Sequence, residues 1–253
     1  MRCFPRLSPR RAAGLALCLV SAGCASVGKS GGGPLPADAT EKASAQALTP
    51  VEQINTWLDA FHVDKMDPSH VMEVQHYCDI LNQDVIQCAL YDQSTKRARL
   101  VGVEYIIPEG AFAGLPNAEK PYWHPHNYEV LSGALVAPGM PAAQEQALMA
   151  QLLNTYGKTW HTWDAASAPL PLGDPRLAWS FNADRELAEA LVTARDERLG
   201  IDSDAVRERR APLIQQARPQ VGVDALRDAF PDRRAFPGVW EEGEIAPPRP
   251  GTR

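Results

Sequence analysis

The chain has 253 residues, 45% of them hydrophobic and 22% charged, with a formal charge of −6. That length suits one ordinary domain able to bury a sizeable core without metal or disulfide staples. The acidic balance excludes a nucleic-acid partner, which needs a basic footprint; the one later basic run, Arg207-Glu208-Arg209-Arg210, carries its own countercharge.

Residues 1–23 read as an export signal. Arg2, Arg6, Arg10 and Arg11 form a positive start with no acidic residue, and Ala12 to Val20 supplies an apolar run. The run is too brief for a membrane span, which needs about 20 apolar residues. It ends in Val20-Ser21-Ala22-Gly23-Cys24, which is similar to the bacterial lipobox, whose cysteine is diacylated and becomes the new N-terminus. The departure is Ser21, where that motif usually carries leucine. The alternative is an ordinary secretory signal cut near Ala22 or Ala25. Twin-arginine export through Arg10-Arg11 is a further route, though Ala12 and Ala13 follow the pair where hydrophobic residues are expected. Removing the signal leaves 21 basic against 31 acidic residues, a net −10. Residues 24–48, rich in Ser, Gly, Ala, Pro and Thr, read as a flexible tether of roughly 25–30 Å r.m.s. reach. Ala25 after the cysteine resembles outer-membrane sorting. The expected location is the bacterial cell envelope, lipid-anchored through Cys24 to the outer membrane and facing the periplasm.

A single folded domain is expected over residues 49–240. Thr49-Pro50 followed by Val51, Ile54, Trp57, Leu58 and Phe61 predicts a first helix, ending near His62-Val63. Val85 to Tyr91 and Arg99 to Ile107 are two β-rich runs forming a hairpin with a longer loop. A third strand is predicted from Tyr128 to Val136, then a helix from Pro141 to Tyr156 closed by Gly157. Short strands follow at Thr159 to Trp163 and Leu177 to Phe181. Arg185 to Arg195 and Ser203 to Gln216 read as charged surface helices, with Trp240 in a strap and residues 241–253 a loose tail. Without regular βαβ alternation, the fold class is α+β, a mostly antiparallel sheet with helices packed at one face and at the C-terminus.

Of five cysteines, Cys24, Cys78 and Cys88 survive processing. In an oxidising periplasm Cys78 and Cys88 invite a disulfide; the alternative is two thiols packed as small hydrophobes. Four of the six histidines, His76, His124, His126 and His161, lie in three segments that also hold Trp123, Trp160 and Trp163. In extended chain, His124 and His126 leave one face, and His161 leaves the face of Thr159 and Trp163. Imidazoles converging from neighbouring strands are how a three- or four-nitrogen site for a divalent transition metal is assembled. His76 and Glu129 are candidates for the remaining position, with Trp123, Trp160 and Trp163 as the pocket wall. The His-x-His…Glu order is similar to that of cupin barrels, but Glu129 follows early and no second block with a later histidine is present. The competing reading is core histidines bonded to backbone carbonyls among packed aromatic rings. His62 and His70 read as surface residues, and Glu104, in an apolar strand, as an outward-facing residue first or, alternatively, a buried acid in the same pocket. No phosphate loop, His-Glu-x-x-His helix or nucleophile elbow is present, and no catalytic residue is assigned.

Six blocks stand in order: Gln75-His76-Tyr77-Cys78, Ile86 to Asp92, Leu100 to Ile107, Trp123-His124-Pro125-His126-Asn127-Tyr128-Glu129-Val130, Tyr156 to Trp163, and Leu170-Pro171-Leu172-Gly173. Together with Arg195 to Ile201 they resemble the oil-body-associated protein family, from about residue 50 to about residue 240. The resemblance implies no established activity or catalytic residue. The family's plant members associate with seed lipid bodies, a location at odds with the exported N-terminus here, and presumed cytosolic members lean toward free thiols at Cys78 and Cys88. The leading expectation is a non-catalytic envelope lipoprotein binding a small ligand or lipid surface through a His/Trp-lined pocket. Its alternatives are a metal-dependent enzyme and a metal-binding protein without turnover.

Overall fold

The computed structural model describes residues 49–241. The export signal, Cys24 and the tether expected over residues 1–48, and the tail beyond Glu241, lie outside the described residues. In chain order the elements are α1 (Thr49–Glu52), β1 (Thr56–Asp64), β2 (Val71–Ile80), β3 (Ile86–Tyr91), β4 (Leu100–Pro108), α2 (Glu109–Ala113), β5 (His124–Pro125), α3 (Asn127–Ser132), α4 (Ala142–Leu152), β6 (Thr155–His161), β7 (Arg176–Trp179), α5 (Glu189–Leu199) and α6 (Ser203–Arg210). Every pairing between these strands is antiparallel. The sheet runs β4-β3-β2-β1-β7-β6-β5, and β4 also pairs with β6. That last pairing closes six strands into a barrel, with β5 lying on β6 beyond the end of β7. The fold is therefore α+β with an antiparallel sheet, but the sheet has an inside and an outside rather than one free face. No helix among the described residues is long and apolar enough to cross a membrane.

Two expected elements change type. The helix expected from Thr49-Pro50 to near His62-Val63 survives only as the single turn α1; from Thr56 onward the chain is β1, and Leu58 to Asp64 is buried throughout. A strand covered on both faces shows a continuous apolar run rather than alternation, and such a run satisfies helical spacing by accident. Conversely, the strand read over residues 128–136 begins as helix α3, ended by Gly133 in the left-handed conformation at φ 84°. Asn127 to Leu131 are all buried, so this helix has no polar face to betray its period. Gly157 does not cap the preceding helix, which stops at Leu152; it lies inside β6.

The two late helices are anchored by buried charge rather than lying loosely on the surface. Arg195 of α5 is fully buried and donates to Asp59 Oδ1 on β1 (3.1 Å) and to the carbonyls of Gly133 (3.0 Å) and Ala134 (3.1 Å). Arg210, at the end of α6, donates to the carbonyls of Val130 and Leu135 and pairs with Glu145. Both guanidiniums satisfy carbonyls near the end of α3, where helical backbone runs out of partners. They thereby hold α3, and the histidine segment before it, against the barrel.

Candidate metal centre

The barrel interior is set by strand register. Directly opposed residues share a face, and the pairs Cys78↔Cys88, Cys88↔Glu104 and Glu104↔Thr159 form one continuous row across four strands. His76 lies two residues from Cys78 on β2, and His161 two from Thr159 on β6, so both share that face. On β4 the usual polarity is inverted: Val103 and Tyr105 are exposed at 39% and 44%, whereas Glu104 between them is 2% exposed. Glu104 therefore points inward, correcting the outward reading. His62, read as a surface residue, is equally buried on β1.

Glu104 is the hub. His76 Nε2 lies 2.8 Å from its Oε2. His124 Nε2 and His126 Nε2 lie 3.4 and 3.3 Å from its Oε1 and 3.2 Å from each other. The two histidines converge although they do not share a strand, since β5 ends at Pro125 and His126 is the N-cap of α3. His126 Nδ1–H donates to Thr155 Oγ1 (2.8 Å), whose own hydrogen goes to the Leu152 carbonyl (2.7 Å). That arrangement leaves the His126 Nε2 lone pair facing Glu104 and His124. Of the four histidines singled out in the sequence, His76, His124 and His126 meet at Glu104. His161 stands one ring further out, its Nε2 3.0 Å from His62 Nδ1. Glu129 Oε2 is 4.0 Å from His126 Nε2, and its Oε1 has no hydrogen-bond partner; neither do His76 Nδ1 and His124 Nδ1.

Gly157 makes this geometry feasible. A Cβ there would stand 2.2 Å from Glu104 Oε1 and 2.6 Å from both His124 Nε2 and His126 Nε2. The point it would fill is thus nearly equidistant from three donor atoms. Those atoms form a triangle with edges of 3.2, 3.3 and 3.4 Å. Ligands bound about 2.0–2.1 Å from a tetrahedral ion stand about 3.3–3.4 Å apart, so the triangle has the dimensions of one coordination face.

Burial sets the electrostatics. Desolvation lowers His62 well below its ordinary value, although Glu104 opposes it, and lowers His124 for the same reason. His161 falls to about 4, through burial first and then the charge of His76. Burial pushes Glu104 upward, but hydrogen bonding from the surrounding imidazoles, His124 first, outweighs it and holds the carboxyl well below the usual range. Glu129, buried beside that negative charge, is raised well above it. The centre is thus one carboxylate surrounded by buried imidazoles, a donor set suited to a transition ion.

The expected pocket wall is not where the aromatic residues lie. Trp160 points away from Thr159 and His161 by strand alternation and meets Tyr122, ring centroids 6.1 Å apart. Trp163 donates to the Ala168 carbonyl, and Trp123 donates to Glu119 within a satellite cluster of Ile107, Phe112 and Tyr156. The indole against the centre is Trp179, 6.0 Å from the His124 ring. Sequence reasoning therefore missed His62, Gly157 and Trp179, and held the buried Glu104 only as the second of two alternatives. One signal was available, because a glycine inside a strand marks close approach by another group. The two cysteine sulfurs, 1.98 Å apart, are joined as a disulfide in the row that leads to Glu104.

Fold and site together define a closed antiparallel barrel with a histidine–carboxylate cluster at its centre. A family described as "protein of unknown function (DUF1264)" matches residues 48–214. Oil body-associated protein 1A of Zea mays is 38% identical over 192 residues, spanning 75% of this chain and 79% of that protein. Oil body-associated protein 1B of Arabidopsis thaliana is 34% identical over 188 residues, 74% of this chain and 77% of that protein. Oil body-associated protein 2B of Zea mays is 45% identical over 164 residues, 64% and 66% respectively. The chain belongs to the oil body-associated protein family. No solved structure matches it.

Proposed function

We propose that this domain is a metal-binding module, holding one divalent transition ion between His124, His126 and Glu104 with His76 as the next donor. The carrying observation is the triangle of donor atoms, with edges of 3.2, 3.3 and 3.4 Å, left room by the missing side chain of Gly157. The site is shut: His124 is 0% exposed, which suits an ion rather than an organic ligand and favours a structural or storage role. Cobalt, zinc, iron and manganese all accept imidazole and carboxylate donors, so the compartment's supply decides among them. Elemental analysis of full-length protein purified without chelator should find about one ion per chain, with ligand distances of about 2.0–2.2 Å. His124→Ala should lose that ion while keeping the wild-type circular dichroism. Well-folded wild-type protein that stays metal-free when offered zinc or cobalt would sink the reading.

A second reading, metal-dependent catalysis, is favoured by one feature: the unpartnered Oε1 of Glu129 beside His126. A free carboxyl oxygen next to a metal centre is where an acid or base for a bound water would stand. The small-ligand pocket lined by Trp123, Trp160 and Trp163 loses its support with the position of those rings.

The domain is further proposed to be held at the bacterial envelope by lipid on Cys24, after removal of residues 1–23. What supports this is the basic start, the apolar run and the small residues before Cys24. The relatives' names tie them to oil bodies in plants; here a lipid surface would be met through the anchor. Intact-mass measurement should show an acylated N-terminus at Cys24, and Cys24→Ser should accumulate unprocessed precursor. A mature, unacylated protein beginning elsewhere contradicts the anchor.

A further inference from the structure

A line of contacts leaves the Glu104 centre through His62, His161 and Met72, three residues from three strands. Met72 Sδ lies 3.0 Å from His161 Nδ1, and His161 Nε2 lies 3.0 Å from His62 Nδ1. His62 and Met72 are cross-strand partners, so the line is built on the register of β1 and β2.

The chemistry of the outer end fixes every proton along it. A thioether sulfur has no hydrogen and only accepts. His161 therefore carries its hydrogen on Nδ1 and, as a neutral ring, leaves Nε2 bare. A bare Nε2 accepts from His62 Nδ1–H, and that leaves His62 Nε2 with no hydrogen. Its lone pair faces Glu104 Oε2 at 3.8 Å, both side chains 2% exposed. Two electron-rich acceptors then confront each other in a buried space with no proton between them, an arrangement that repels. The separation is too long for a hydrogen bond. It is the span of two ligands each about 2.1 Å from a shared cation at an angle of about 130°. A ring nitrogen of His62, a Glu104 carboxylate oxygen and a His124 nitrogen also lie within 4.8 Å of one another.

We propose that His62 is a further protein ligand of the ion held at Glu104, and that Met72, acting through His161, is the residue that positions it by fixing its tautomer. This rests on the metal reading above and extends its donor set to four imidazoles and one carboxylate. His126 is oriented by the same device: its Nδ1–H is taken up by Thr155 Oγ1, leaving Nε2 free for the ion. Such outer partners raise the basicity of a ligating histidine and lock its ring, and their loss typically costs 10- to 100-fold in metal affinity.

The test loads the full chain with cobalt(II) and reads affinity by chelator competition, with the visible spectrum and X-ray absorption as structural readouts. Met72→Leu keeps the apolar bulk but removes the acceptor; it should weaken cobalt binding about tenfold and shift the visible bands. Met72→Gln puts an amide oxygen at a similar reach and should restore both, which a merely structural methionine would not require. His62→Ala should still bind one cobalt but with three imidazoles instead of four. Met72→Leu with wild-type affinity and spectrum overturns the positioning role, and His62→Ala with an unchanged imidazole count overturns the ligand assignment. Wild-type protein that takes up no cobalt is a different outcome, since it removes the metal reading itself and this extension with it.

Discussion

At the scale of single residues, the centre depends as much on an absent side chain as on those present. Gly157→Ala adds one methyl group whose carbon would lie inside hydrogen-bond distance of three donor atoms. The backbone at Gly157 is ordinary strand, so alanine is tolerated there conformationally, and the clash falls on Glu104, His124 and His126. Gly157→Ala is expected to reduce metal content to below about a tenth of wild type, a loss of more than about 1.4 kcal/mol in binding, while the protein remains folded. Retained stoichiometric metal would show that the ion sits elsewhere. The histidines were legible because imidazole between aromatic residues is conspicuous in a sequence. Glu104 was not, since an acid flanked by apolar residues reads as solvent-facing until the strand is known to present Val103 and Tyr105 outward. His62 was hidden by the same ambiguity, lying in an apolar run taken for a helix.

At the scale of elements, the hairpin over β3 and β4, helix α4 and the short strands β6 and β7 follow from local pattern, with ends displaced by a few residues. Two failures of type, β1 and α3, share a cause: both are buried on all sides, and burial on all sides erases the periodicity that separates helix from strand; β2, only partly buried, was not expected as an element at all. The disulfide belongs to this scale because it staples β2 to β3. Its sequence separation is 10, and a loop of that size removes chain entropy worth about 2.7 kcal/mol. Reducing it in metal-free protein should lower the urea midpoint by roughly 1 M, with a slope of about 2–3 kcal/mol per molar for a domain of this size. An unchanged midpoint with and without reductant would show that Cys78 and Cys88 are free thiols in the native protein.

At the scale of the whole molecule, closure of the sheet was not legible, because the β4–β6 pairing joins segments about fifty residues apart with no local signal. Closure is what buries the imidazoles, and it makes the metal-free protein acid-labile. His62, His124 and His161 have lowered values in the folded state. As pH falls, the unfolded chain therefore takes up protons before the folded one does, and unfolding gains. For His161, with a folded value of about 4 against an ordinary 6.5, stability is full above about pH 6.5. It declines by about 3 kcal/mol as pH drops to 4. The lowered carboxyl of Glu104 adds loss in the same direction at still lower pH, where it becomes protonated. Urea unfolding of metal-free protein measured from pH 7 to pH 4.5 should show this decline; a flat profile would mean that water reaches the imidazoles.

The donor atoms at Glu104 come from β1, β2, β4, β5 and the start of α3, so the unfolded chain keeps only His124 and His126 near each other. That pair offers two donors at most, and the others arrive only when the strands pair. Under the proposed metal reading, loading would therefore be completed only with folding, wherever that takes place. Affinities of nitrogen and oxygen donors for divalent ions follow one general order in any protein, so the identity of the ion is decided by geography. A chain that crosses a membrane before its barrel shuts would acquire the ion of its destination, and the same sequence shut in the cytosol would keep the ion of its birthplace.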